Sequence, residues 1–181
     1  MDYVLPKPRF MNENRVYKNY YSDDRQDQLF EMIFGGCENG VYIDIGAGNG
    51  CNGNNTLLYK DLYKWSGICI ESDPKLFNEL KMYRPSDINL NLNKININDI
   101  MIKYNKKRIG LLTLNVPNQL EILKTITNYD IDIIEFKNNN KLETETIVFL
   151  LNHNGYKLVA KTVKSLIMGH TNSFFVKNLD K

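Results

Sequence analysis

Residues 41–50 read VYIDIGAGNG. An apolar strand carrying a single acid, Asp44, runs into a turn where Gly46, Gly48 and Gly50 alternate with other residues. Glycines at a strand end let the backbone reverse tightly and let a ligand approach with no Cβ in the way. The dinucleotide fingerprint G-x-G-x-x-G would need a glycine at position 51, where this chain has Cys51. What remains is a D-x-G-x-G-x-G arrangement with the acid just inside the strand.

Strands and helices alternate on both sides of this turn. From Ser22 the polar run SDDRQDQ leads into LFEMIF, where Leu29, Met32 and Ile33 share a face. The pattern predicts a short amphipathic helix with a Ser or Asp cap, ended by Gly35 and Gly36. After the turn come a helix over 55–63, the strand SGICIES, a helix over 74–83, the strand DINLNL and the short helix NDIMIKYN. The strand IGLLTLNV, the helix NQLEILKTI, the strand IDIIEF and the helix ETIVFLLNHNG follow, with Gly155 where a C-terminal cap belongs. YKLVAKTV and SFFVKN close the chain as a hairpin. The reading is an α/β fold: a mostly parallel seven-stranded sheet with helices on both faces. Residues 1–21, with Pro6 and Pro8 and no sustained apolar period, form an N-terminal arm, and 22–181 one domain.

A chain of 181 residues can bury roughly 70% of the surface its unfolded form exposes, so one core suffices. Lys and Arg total 23 against 21 Asp and Glu, and the net +2 is scattered, which gives no support to a nucleic-acid surface. Cys37, Cys51 and Cys69 have no metal-ligand spacing, and Cys69 sits mid-strand as a small core residue. No apolar run has the length of a signal peptide or a membrane span. These features predict a cytoplasmic protein in a reducing compartment, with no membrane and no metal.

A second element stands about twenty residues past Gly50, where Glu71 ends the next strand and can accept both hydroxyls of a ribose. The turn and this acid form the motif of class I methyltransferases that use S-adenosyl-L-methionine (SAM), in which the turn backs onto the methionine part of the cofactor. SDDRQDQLFEMIF, NGVYIDIGAGNG, NNTLLYKDLYKWSGICIESDPKLFNELKMYR and NGYKLVAKT together resemble the FkbM family of these enzymes. The family's Gln-Asp pair reads Gln26 and Asp27, its glycine turn Gly46 to Gly50, its first-helix start Asn54-Asn55-Thr56, and its second strand Trp65, Gly67 and Glu71. The match is detailed from Ser22 to Arg84 and looser afterwards.

The resemblance implies a Rossmann-like class I methyltransferase fold and O-methylation of a hydroxyl on a sugar or related small-molecule or glycan acceptor. It implies cofactor contacts at Gln26, Asp27, Asp44, Gly46, Ala47, Gly48, Asn55, Thr56 and Glu71. An NAD-binding oxidoreductase ranks last, since no hydride-transfer partner is identifiable.

The family's acidic stretch after the fourth strand is broken here. Asn115 stands for its first Asp, Pro117 for a Glu and Gln119 for its last Glu; in the fifth strand Lys137 falls where an acid is expected, and Asn172 replaces a later Asp. Asp87 and Asp99 are the acids nearest to where an adenine contact is expected, with Asp99 read as a helix cap. A lysine about 6 Å from a sulfonium would disfavour SAM against its neutral product by about 2–3 kcal/mol at an effective dielectric near 20. For a catalytic base, His170 lies in the connection between the last two strands, which opens on the carboxyl edge if the sixth strand is parallel to the others. His153 reads as a C-terminal capping cation, while Glu135 and Asp132 are further candidate bases, each more simply read as a strand-end solubilising charge. Two readings stand: an active methyltransferase, or a degenerate methyltransferase-like binding or structural module favoured by Asn115, Gln119 and Lys137.

Overall fold

The computed structural model describes residues 20–177, apart from 24, 36, 94, 106, 107, 127, 128, 139 and 165–170, with backbone alone for 161–164. Strands β1 (Val41–Ile45), β2 (Ser66–Ile70), β3 (Ile88–Leu90), β4 (Arg108–Leu114), β5 (Asp130–Asn138), β6 (Tyr156–Lys164) and β7 (Thr171–Lys177) form one sheet in the order β3-β2-β1-β4-β5-β7-β6. The first five strands pair in parallel, and β7 lies antiparallel between β5 and β6. The expected hairpin therefore closes the sheet. Two antiparallel pairings in succession leave β6 parallel to β5, so its end at Lys164 reaches the carboxyl edge.

Period-two alternation divides the core. Ile43, Ile45, Ile68, Ile70, Leu112, Leu114, Ile134 and Phe136 pack on one face beneath α4 (Ile97–Lys103), α5 (Gln119–Thr125) and α6 (Lys141–His153). Tyr42, Cys69, Leu111, Ile133 and Phe174 face the other way, under α1 (Gln26–Phe34), α2 (Leu57–Tyr63) and α3 (Pro74–Tyr83). Strands buried on both faces read as near-continuous apolar runs, as these do.

Local chemistry explains where the elements begin. The span of α3 is as its sequence predicts, because Asp73 accepts from the N–H groups of Lys75 and Leu76 and Pro74 supplies the preset first φ. α6 starts earlier than expected, at Lys141, since Asn140 caps it by accepting from the Glu143 N–H at 2.8 Å. Gly155 follows with φ 83, in the left-handed position that ends helices.

Two caps differ from expectation. Asn96, not Asp99, caps α4. At α1 the N-cap is Arg25, with φ 60 and no side-chain bond, and the acid does its work from inside the first turn. Asp27 accepts from the N–H of Tyr21 at 2.6 Å and from the Ser22 hydroxyl at 2.5 Å, while the Ser22 oxygen accepts from the Asp27 N–H at 3.2 Å. Of the expected arm, Tyr20 and Tyr21 are described, and both are tied to α1: Tyr20 donates to Glu31 at 2.9 Å and Tyr21 to Asp27. Among the described residues no helix is long and apolar enough to cross a membrane.

Candidate cofactor and acceptor site

The turn after β1 is anchored to β2 from below: the N–H groups of Gly46 and Ala47 both donate to the Ile70 carbonyl, at 2.9 and 3.1 Å. Gly46 has φ 81, and a Cβ there would sit 2.4 Å from the Asn115 carbonyl oxygen, so the first strand can meet the end of β4 only without a side chain. Gly48, with φ 60, has open space where its Cβ would be. That combination leaves bare backbone facing the cleft, the surface a ligand can approach.

Glu71 emerges from β2 beside this backbone. It is buried; its Oε2 accepts the Gly48 N–H and its Oε1 the Asp73 N–H, each at 2.8 Å. A carboxylate offers about four lone-pair sites, so both oxygens keep acceptor capacity for a pair of hydroxyls. Asp44 is spent differently. Its Oδ2 accepts from Asn54 Nδ2 at 2.8 Å and Thr56 Oγ1 at 2.9 Å, and its Oδ1 from Thr113 Oγ1 at 2.8 Å. The acid of the motif thus holds the segment after the turn against β4.

Asn55, between those two partners, reaches across to β5 and donates to Glu135 Oε2 at 3.3 Å. The Asn54-Asn55-Thr56 tripeptide straps two buried carboxylates, one on β1 and one on β5. Strand register sets Asp44, Thr113 and Glu135 side by side on one face. Glu135 is 2% exposed, which corrects its reading as a strand-end solubilising charge: β5 runs on three residues beyond it to Asn138. Burial first, then the charge of Asp44, pushes its carboxyl up to about 8, against the Asn55 bond and Lys137, which favour the anion.

One step closer to the carboxyl edge lie the positions at which the FkbM resemblance leads one to expect acids. Lys137 pairs in register with Asn172, and Asn115 follows directly on the Leu114–Phe136 pair, so the three stand in one row. Lys137 shares the face of Glu135 and is half-buried; Asn115 is exposed. Gln119 is buried: its Nε2 donates to the Lys137 carbonyl at 2.8 Å, and its Oε1 has no hydrogen-bond partner. Gln26 and Asp27 sit buried in the first turn of α1, and Ser22, four residues before the helix, bridges to Gly53 beyond the glycine turn.

The residue sequence reasoning missed is Arg84, at the C-terminal cap of α3 and 0% exposed. Its guanidinium donates to the Gly50 carbonyl (3.1 Å), Asn54 Oδ1 (3.1 Å), Thr56 Oγ1 (3.1 Å), the Tyr42 hydroxyl (2.5 Å) and Asp87 Oδ2 (2.7 Å). It therefore supports the turn and the strap from beneath. Burial opposes its charge, but the acids Asp87 and Asp44 contribute to holding it protonated. The one hint in the sequence is that the close resemblance to the FkbM family runs as far as this arginine.

Other expected acids and bases lie elsewhere. Asp87, considered near an adenine, is committed to Arg84 and Tyr42, in register with the amino-terminal half of β1. Asp132 pairs with Arg108 at 2.9 Å near the amino-terminal end of β5, which removes it from the candidate bases at the carboxyl edge. The amino-terminal edge of the sheet holds a cavity of about 300 Å³ lined by Phe34, Trp65, Arg108 and Asp132, at the opposite end of the strands from Glu71 and the glycine turn. His153 ends α6 and stacks on Phe149. His170 lies outside the described residues.

No family model matches the sequence, and no curated protein matches it. Solved structures do resemble it. The METTL16 methyltransferase domain superposes with a TM-score of 0.67 at 16% identity, over 90% of this chain and 70% of that one. Aeropyrum pernix fibrillarin, solved with natively bound S-adenosyl-L-methionine, gives 0.63 at 12% identity, over 87% of this chain and 75% of that one. Precorrin-6y C5,15-methyltransferase from Geobacter metallireducens gives 0.62 at 12% identity, over 96% of this chain and 100% of that one. The seven-stranded sheet with its antiparallel β7 is the Rossmann-like fold of SAM-dependent methyltransferases.

Proposed function

We propose that the chain is a SAM-dependent methyltransferase of the FkbM type that acts on a hydroxyl of a small-molecule or glycan acceptor. One observation carries the reading: the bare backbone at Gly48 and the Glu71 carboxylate converge at the carboxyl edge of β1 and β2, 2.8 Å apart. The residues present fit the cofactor. Glu71 would take the ribose hydroxyls, and the turn from Gly46 to Gly50, braced by Asp44, Asn54 and Thr56, would back the methionine part. SAM, when bound, supplies an electrophilic methyl group on a sulfonium. The likeness to fibrillarin, whose structure holds SAM, supports the choice of cofactor.

The row of Asn115, Lys137 and Asn172 favours a second reading, in which the cofactor half of the site survives and the chain serves as a binding or structural module. Calorimetric titration with SAM and its demethylated product tests both. Binding of either ligand at micromolar concentration supports the cofactor site, and methyl transfer to a hydroxyl acceptor separates the enzyme from the module. Absence of binding by both ligands sinks the enzyme reading and favours a structural module.

A further inference from the structure

Among the described residues Asp27, Asp44, Glu71 and Glu135 are buried as whole residues, and the carboxyl of Asp87 is buried in its ion pair with Arg84. Asp27 accepts hydrogen bonds from Tyr21, Ser22 and Gln28, Asp44 from Asn54, Thr56 and Thr113, and Glu71 from Gly48 and Asp73. Glu135 accepts one, from Asn55, and that one is long at 3.3 Å. A buried carboxyl with so little support is costly as an anion unless a charge arrives to answer it. It lies on the face and side of the sheet where the strap from the glycine turn crosses to β5, beneath the row in which the acids expected of the family are absent.

We propose that Glu135 is the charge partner of a cationic ligand in this cleft, losing its proton when a sulfonium binds and regaining it when the sulfur becomes neutral. The inference rests on the methyltransferase reading above and assigns to Glu135 the electrostatic task that Asn115, Gln119 and Lys137 cannot perform. Burial, then the charge of Asp44, pushes its carboxyl up to about 8, which favours the protonated form at neutral pH. The charged groups that act on it are Asp44 from β1, which opposes its ionisation, and Lys137 from its own strand, which favours it; Thr113, Phe174 and Asn55, its other neighbours, carry no charge. A further positive charge about 6–8 Å away would turn a mostly protonated acid into a mostly ionised one at pH 7. Proton balance is simple: neutral carboxyl plus cation gives carboxylate paired with cation, and one proton passes to solvent.

Proton release on binding is the readout, and it needs neither turnover nor a known acceptor. Titrations of SAM and of its demethylated product at pH 7, each in two buffers of different ionisation enthalpy, give the protons released per ligand. SAM is expected to release more than about half a proton beyond the product. Glu135→Gln should remove that excess, and comparing the parent with the variant for the same ligand cancels proton traffic on the ligand's own amino group. Should that variant fail to fold, the unmodified protein still decides: the ratio of SAM affinity to product affinity should rise roughly tenfold or more between pH 6 and 9. Equal proton release by the two ligands, or a ratio flat with pH, overturns the role of Glu135 while leaving the cofactor site standing. Failure of both ligands to bind overturns the methyltransferase reading on which it depends.

Discussion

Arg84 and Asp87 are joined Nε to Oδ2 at 2.7 Å, and their side chains are 0% and 1% exposed. The pair is sealed under the glycine turn, and its other bonds run to Gly50, Asn54, Thr56 and Tyr42. Removing one partner of a buried pair leaves an uncompensated charge, typically a loss of about 3–5 kcal/mol. Arg84→Met should therefore lower stability by that amount in urea denaturation, and Asp87→Asn by less, because the amide still accepts from the guanidinium. Equal midpoints for Arg84→Met and the parent would show the network to be energetically idle.

Because the same guanidinium holds the carbonyl of Gly50, its loss should reach the cofactor as well. Arg84→Lys keeps the charge but not the fork that serves five partners. Where this variant remains folded by circular dichroism, its affinity for the demethylated product should fall, while affinity for adenosine, which needs Glu71 and not the turn, should fall less. A uniform loss for both ligands would mean that Arg84 supports the fold at large.

Glu71 is the direct test of ligand placement. Glu71→Ala should weaken binding of SAM by about 1.5–3 kcal/mol, the worth of hydrogen bonds to a charged acceptor. The backbone N–H groups of Gly48 and Asp73 return to water or ligand in the variant, so the folded state should lose little. Unchanged affinity by calorimetry removes Glu71 from the site.

How much of this was readable in the chain depends on the range of the interaction. α3 is written locally, in Asp73 and Pro74, and the glycine turn in three residues that must adopt positive φ. The insertion of β7 between β5 and β6 is a long-range pairing that no local pattern encodes. The same distinction governs the site. Reading IDIIEF as the whole of β5 leaves Glu135 next to the strand's end, and the pairing with β7, through Asn138 and Thr171, carries the strand onward past the acid. Arg84 looks like any helix-ending arginine until Tyr42, 42 residues away, is brought over it. Asp44, by contrast, was visible as a motif residue, but its direction was not: it turns inward to three neutral donors.

The register of Lys137 beside Asn115 makes a charge experiment specific. Lys137→Glu should raise SAM affinity relative to product, by reversing a charge on the face that carries Glu135, and Asn115→Asp should add a smaller gain from the exposed edge. The two positions are close enough to couple, so both single variants and the double are required. A SAM-to-product ratio unmoved by Lys137→Glu would place the cofactor's sulfur away from this row.

Stability itself should record the buried acid. The carboxyl of Glu135 rises from an ordinary value of 4.5 to about 8 in the folded chain, so between those limits the native state holds a proton that the unfolded state has released. The stabilisation is fully present below about pH 4.5 and is lost as pH rises through about 8, with an upper limit on the order of 5 kcal/mol at 1.36 kcal/mol per pKa unit. Asp27, also raised by burial, slopes the same way and is common to every variant. Glu135→Gln keeps the shape of the side chain and an oxygen to accept from Asn55, and removes the titration. The difference in unfolding free energy between the parent and this variant should then shift in favour of the variant from pH 5 to pH 9 and level off above. Parallel stability curves across that range would mean that Glu135 is ionised in the folded protein at neutral pH, with its charge answered from within the chain.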